Sequence, residues 1–325
     1  MTPLEGLVTS ALLAASVSAI LLAILLCFPH FLVDEPNQRS LHVTPVPRTG
    51  GISIVLGAFG TAAIVDSYRV LVISAILIAL VSLIDDWRKL PALPRFGAQG
   101  IIAVTFCLLT LGDLSLAEII FLTLSLVWLA NLYNFMDGSD GLAGGMTVIG
   151  FASCALGAWI GGNPALATLC ATIAATSLPF LTQNFHPAKI FMGDIGAVTL
   201  GFSAAAIGAI GWRDGTWSPF FPVFVFSPFI ADASLTLLRR ILKKEKFWQP
   251  HREHYYQKLV RMGWGHRHTA LIEYAVMLLA AMGAFSTFYF DGIAQLLAIL
   301  AWGAMLMIAA QCIDMQWAKT EHGAK

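Results

Sequence analysis

Eleven apolar runs divide this 325-residue chain, near 6–28, 50–65, 69–84, 97–112, 115–130, 142–161, 164–183, 195–212, 218–240, 269–288 and 292–314. A helix needs about 20 largely apolar residues to cross a bilayer, because backbone polar groups in hydrocarbon must bond within their own segment. Only 12% of the residues are charged, against roughly 25% in soluble domains. The sequence therefore predicts an all-α, polytopic integral membrane protein with about eleven transmembrane helices, ten being the alternative count, in one membrane-embedded domain over 1–325. The second and third runs are short and are expected to be tilted or partly re-entrant. The first run is longer than a signal-peptide core and has Glu5 rather than a basic leader beside it, so it is expected to be a span.

Eleven crossings sort the links between runs onto two sides. All of the nineteen Lys and Arg residues except Arg69 and Arg213 then share one side. Basic residues favour the cytoplasm, so the N-terminus is expected to be periplasmic and the C-terminus cytoplasmic. All eight histidines fall on that basic side, as do Asp85, Asp86, Asp137, Asp140 and Asp194. The net charge of zero says nothing about a partner. The five cysteines lie in apolar runs without a CxxC pair, which points to buried thiols rather than disulfides or zinc ligands.

Within residues 131–145, NLYNFMDGSDGLAGG, positions Asn131, Asn134, Asp137 and Asp140 recur every third residue, the spacing of one helical face. Carboxylate and amide oxygens suit a hard cation such as Mg2+, which in turn suits a phosphate; a polar cap joining two spans is the competing reading. Asp85 and Asp86 close the third run as LIDDWRKL. Adjacent carboxylates at a low-dielectric boundary need compensation, either from the local Arg88 and Lys89 or from a bound phosphate and metal. Asp194, flanked by Gly193 and Gly196 in FMGDIGA, reads as a helix cap or as a metal ligand, with Lys189 placed for a phosphate. Arg39, His42 and Arg48 lie in a proline-stiffened loop, NQRSLHVTPVPRTGG, that is either an ordinary basic loop or a diphosphate grip. Asp232 lies roughly two turns inside the ninth run, where a charge is costly and is a functional candidate by default; it is expected to pair with Arg239 or to be protonated. In the largest basic loop, PHREHYYQKL, His251 and His254 share a helical face with Arg252 between them, in a pattern unlike HExxH zinc sites.

Taken together and in order, DEPNQRSLHVTPVPRTGG, LIDDW, NFMDGSDGLAGG, KIFMGDIGA and the HREH loop resemble the polyprenyl-phosphate N-acetylhexosamine-1-phosphate transferases of glycosyltransferase family 4, over about residues 34–258. The HREHYYQ form is most similar to the WbpL-like, O-antigen-initiating branch. The resemblance implies transfer of a sugar 1-phosphate from a UDP-N-acetylhexosamine to a polyprenyl phosphate such as undecaprenyl phosphate, in the bacterial inner membrane, with release of UMP. It implies Mg2+ as cofactor, with Mn2+ as the other candidate ion. It also implies Asp85 and Asp86 as the catalytic pair, and Asp194 and Asp137 as metal ligands. Substrate contacts are then expected from Asn134, Asp140, Lys189, Arg48, Arg39, Arg252, His254, His251 and Asp232. The partners implied are the lipid phosphate, the UDP-amino sugar and the membrane, with no nucleic acid; an oligomer is left open. The chain departs from the family pattern in having Trp87, Arg88 and Lys89 where a third carboxylate often follows, Ala197 where serine is common, and two histidines in place of a longer run.

Two rival classes predict other features. A cation-coupled transporter would place ionisable groups near the membrane midplane, often in repeats; Asp232 alone is read there, and no repeat is visible. An intramembrane aspartyl protease would need a GxGD motif, but Phe191 occupies the first glycine position.

Overall fold

The computed structural model describes all residues except 1, 37–39, 43, 63–67, 247–250 and 324–325, and describes 321–323 by their backbone alone. Twelve α-helices appear among the described residues: α1 Pro3–Leu26, α2 Gly50–Ala62, α3 Arg69–Arg88, α4 Ala92–Thr110, α5 Leu116–Phe135, α6 Leu142–Ile160, α7 Pro164–Asn184, α8 Gly193–Arg213, α9 Phe220–Leu242, α10 Tyr255–Leu259, α11 Gly265–Ser286 and α12 Gly292–Gly323. Among the described residues the one sheet is a two-residue pairing of β1 Val33–Asp34 with β2 Val46–Pro47, in which Val33 opposes Pro47.

Ten helices are long and apolar enough to cross a membrane, and α2, at 13 residues, is a shorter apolar helix. This is an all-α, multi-pass membrane protein. The third run, short in sequence, becomes a 20-residue helix because Asp85 and Asp86 continue it to Arg88. Contacts fix which helix ends lie together. At one end Arg48 meets Asp86, Asp140 meets His186 and His266, and Tyr255 meets Asp314. At the other, Tyr68 meets Asn163, Asn163 meets Asp214, and Arg213 meets Leu111. The chain therefore changes ends between Gly50 and Tyr68, and α2 takes part in an eleventh passage despite its length.

Helix α8 is the buried centre. It packs between α3 and α5, and its small residues let backbones approach closely: a Cβ on Gly201 would strike the Leu129 carbonyl, and one on Gly211 the Trp217 ring. Small residues at helix contacts are what membrane packing requires, since lipid tails give apolar side chains no reason to prefer one another. The capping boxes of Thr2 with Glu5 and Ser115 with Glu118 start α1 and α5 at the end away from the carboxylates. Helix α12 is almost bare, with Leu297 62% and Ile308 60% exposed, and so presents an apolar surface suited to acyl chains.

Candidate active site

Helices α2, α4, α6, α8 and α11 all begin at the end where Asp85, Asp86, Asp137 and Asp194 lie, so five positive helix N-termini point there. Two of them touch. Gly50 and Gly51 donate from their amides to the carbonyls of Phe191 and Met192, at 2.9 and 2.8 Å, and the Gly51 Cα stands against the backbone of Gly196. Any Cβ on either glycine would collide with the other helix, which explains the glycines of PRTGG and GDIG. Gly193 turns the chain into α8 at φ +74°, a conformation open to glycine, with the Arg48 carbonyl packed against it.

This dock places the charges. Arg48 reaches the Asp86 carboxylate at 3.2 Å and donates to its carbonyl at 2.6 Å, while the Ile195 amide donates to Asp86 Oδ2 at 3.2 Å. Asp86 Oδ1 is buried without an aligned hydrogen bond. Lys89 ends α3 in the left-handed region, φ 50°, and folds the chain back so that the Leu90 amide and Arg95 both donate to Asp85, at 2.8 and 2.7 Å. Asp194 lies beside Asp85, with Arg95 and Arg48 as its nearest cations. Burial pushes the Asp137 carboxyl well above the usual carboxylate range; the Asp194 and Asp86 carboxylates push the same way, against one donated amide from Gly193. Four acidic side chains thus share a small volume with two arginines.

A second wall stands on α10. Asp232 accepts from His254 Nδ1, the Tyr255 amide and the Tyr256 amide, each at 3.0 Å, and from Thr236 at 3.3 Å. The pairing with Arg239 is not made; Arg239 bonds Asp314 instead, because α12 supplies a nearer carboxylate. Asp232 is an anchor that docks the HREH loop. His251 stacks on His254 at 4.9 Å, and burial, helped by His254 and Arg240, lowers its pKa to about 4. Tyr256 donates to the Phe135 carbonyl and packs on Gly138, tying this wall to the turn that carries Asp137.

The sequence model of glycosyl transferase family 4 matches residues 68–211. Over 274 residues the chain is 30% identical to a protein of Bacillus subtilis (strain 168) named as a probable undecaprenyl-phosphate N-acetylglucosaminyl 1-phosphate transferase, covering 78% of this chain and 76% of the relative. The chain belongs to this family. It is also 32% identical over 312 residues to the decaprenyl-phosphate N-acetylglucosaminephosphotransferase of Mycobacterium tuberculosis (strain ATCC 25618 / H37Rv), covering 80% of this chain and 76% of that one. With the undecaprenyl-phosphate alpha-N-acetylglucosaminyl 1-phosphate transferase of Escherichia coli (strain K12) it is 30% identical over 315 residues, covering 88% and 84%.

The other expected residues of this family 4 transferase fall into distinct settings. Asp140 has its carboxylate engaged by His186 at 2.7 Å and the Ala188 amide at 3.1 Å, which holds the 185–190 turn beside the site. Asn131 donates to Gln99 on α4 and is interhelix glue, so the polar edge expected from 131 to 140 does not act as one face. Asn134 makes no side-chain hydrogen bond among the described residues, and Lys189 is exposed. Arg252 accepts a bond from Arg261 on its carbonyl. Arg39 lies outside the described residues. Sequence reasoning missed Arg95, His186 and His266. His266 lies 2.8 Å from Ser139 and stacks on His186 at 5.3 Å. It also missed Glu273, a second carboxyl well inside a span.

No three His, Cys, Asp or Glu side chains are arranged to hold a metal among the described residues. That arrangement still suits Mg2+, which usually takes one or two carboxylates and completes its shell with water and substrate phosphate. Asp86 Oδ1, ion-paired with Arg48 but without an aligned hydrogen bond, and Asp137, crowded against Asp194 and Asp86, supply hard oxygen donors.

Proposed function

We propose that the chain transfers an N-acetylhexosamine 1-phosphate from a UDP-sugar to a polyprenyl phosphate, undecaprenyl phosphate in particular. The reaction takes place at the cytoplasmic face of the bacterial inner membrane, releases UMP, and starts O-antigen, lipopolysaccharide or a related surface glycan. One observation carries the reading: Asp85, Asp86, Asp137 and Asp194 gather with Arg48 and Arg95 at the end of the bundle where the basic links lie. The names of the relatives supply the lipid phosphate and the sugar phosphate, and a UDP-linked donor accounts for how the phosphoryl group arrives. A soluble donor and a lipid acceptor can meet only at the membrane surface.

In the proposed step an oxygen of the polyprenyl phosphate bonds to the sugar-linked phosphorus. The bond from that phosphorus to the bridging oxygen breaks, and its electron pair leaves with UMP. Both substrates are anionic, so the chain must offset their repulsion and the charge that spreads over the transferring phosphoryl group. Arg48 and Arg95 and the N-termini of α2, α6 and α8 supply positive charge there. Asp137 and Asp194 would hold Mg2+, which, when bound, neutralises phosphate oxygens. Asp86, whose Oδ1 pairs with Arg48 without an aligned hydrogen bond, is placed to accept a proton from the acceptor phosphate. His254, fixed by Asp232, and Arg252 two residues before it contact the sugar nucleotide. The transporter alternative is not favoured, since Asp232, the carboxylate on which it rested, is occupied by four donors.

The test is UMP release by the detergent-purified chain with undecaprenyl phosphate and Mg2+, offering UDP-N-acetylhexosamines singly with EDTA controls. Metal-dependent UMP from one donor is expected. No UMP together with no binding of any UDP-sugar would overturn the proposal.

A further inference from the structure

Helix α10 has two faces. Tyr256 packs against the turn that carries Asp137 and His254 bonds Asp232, whereas Tyr255 and Lys258 face a cavity of about 440 Å3 between α9, α10 and α12. Arg239 and Lys243 of the α9 end, Lys258 and Tyr255 of α10, Asp314 of α12 and Glu253 line it. Arg239 and Lys258 both donate to Asp314, the latter at 2.7 Å, and both cations stand over the Tyr255 ring, 5.2 and 4.8 Å from its centre. Glu253 is held by Arg240 at 3.0 Å. Lys243 has no ion-pair partner among the described residues. Three cations, Arg239, Lys243 and Lys258, thus face the cavity with two carboxylates, Asp314 shared between two of them and Glu253 engaged by Arg240 behind.

Leu242 lines this cavity, and exposed apolar residues continue from it along α9 and α12. Leu242 is 73% and Met315 60% exposed, and Leu238 and Ile241 of α9 are exposed beside them. A cluster of cations at the polar end of bare apolar helices is the arrangement in which basic pockets between membrane helices take lipid phosphates. We propose that this cavity binds the phosphate of an anionic membrane phospholipid, at a site separate from the one that performs transfer. Arg239, Lys243 and Lys258 contact the phosphate, its acyl chains lie along Leu238, Leu242 and Met315, and Asp314 is a built-in competitor for the same cations.

Competition gives the test opposite signs. The full chain, purified in detergent, is titrated with phosphatidylglycerol or phosphatidylcholine and bound lipid is read by native mass spectrometry. Phosphatidylglycerol is expected to bind in preference. The double variant Arg239→Gln with Lys243→Gln should weaken that binding by roughly a hundredfold, the loss of two charge-assisted contacts. Asp314→Asn, which removes the competing carboxylate, should strengthen it by several-fold (on the order of fivefold for one screened charge). Equal binding of both lipids, or phosphatidylglycerol binding unchanged in both variants, would overturn the proposal. Displacement of the lipid by millimolar inorganic phosphate would reassign the cavity to soluble phosphate and overturn the lipid assignment. The readout is binding, so it stands apart from whether UMP is released.

Discussion

Replacing Asp232 with Asn keeps the side-chain shape and removes one acceptor from the anchor of the HREH loop. Oδ1 takes His254, Tyr255 and Thr236, and Oδ2 takes the Tyr256 amide alone. The Asn oxygen will stay with the larger set, which turns an NH2 toward the Tyr256 N–H in a buried place. One hydrogen bond to a charged group, about 1.5–3 kcal/mol, is lost, and a buried donor is left facing a donor, for a sum of roughly 3 kcal/mol against the docked loop. At about 1.4 kcal/mol per tenfold, that lowers the docked fraction by up to roughly a hundredfold. Isothermal titration with UDP-sugar should show Kd raised about 10- to 100-fold. Trypsin cleavage after Lys246 and Arg252 should quicken in parallel, while the helices, whose own bonds are untouched, should melt near the wild-type temperature. Unchanged Kd with unchanged cleavage would refute the anchoring argument. Faster cleavage with unchanged Kd would refute only the donor contact assigned to His254 and Arg252.

Further expectations follow from the same geometry. Asp194→Asn should abolish UMP release while circular dichroism and detergent gel filtration stay as in the wild type; full turnover would remove Asp194 from the site. Gly51→Val drives a side chain into the backbone of Gly196 and should destabilise the fold by more than about 1–3 kcal/mol, read as a lowered Tm. Gly60→Ala, with nothing within 4 Å of the new methyl, is the control expected to leave Tm unchanged. His251 has its pKa lowered from 6.5 to about 4 by burial and His254. Between those values the unfolded chain binds more protons, so stability rises with pH through the window and is lost as pH falls toward 4. His251→Gln should flatten that part of the stability profile, and an unchanged profile would assign the acid loss to other groups.

The passages and their alternation were legible because apolar length is a local property, and alternation then forced every chemical cluster to one end. The glycines of PRTGG and GDIG were visible only as parts of a loop and of a flanked Asp194, and their contact with each other was not legible. Partner choice was not legible. Arg95, ten residues after Asp85, becomes its ion pair only because Lys89 adopts the left-handed turn that folds α4 back. Asp232 and Arg239 share a helix, yet α12, far along the chain, takes Arg239. Asn131 and Asp140 share a spacing with Asn134 and Asp137, but the helix ends at Phe135, so the face implied by that spacing is not continuous. Hydropathy fixes which segments cross the membrane; the rotation of each helix about its axis, which decides what meets what, is set by packing between distant segments.

The contact of Gly51 with Gly196 also governs movement. With no side chain between them and two backbone bonds across the junction, α2 and α8 cannot slide without breaking the dock, so the wall carrying Asp86 and Asp194 is a fixed anvil. The opposite wall is jointed. Helix α10 is held at its start by Asp232 and leaves through a π-helical turn, Val260–Trp264, into α11, with Gly263 and Gly265 at φ 96° and 69°. A swing of α10 would therefore hinge at Gly263 and Gly265, and it would have to break the bonds to Asp232, to the Phe135 carbonyl and to Asp314 together.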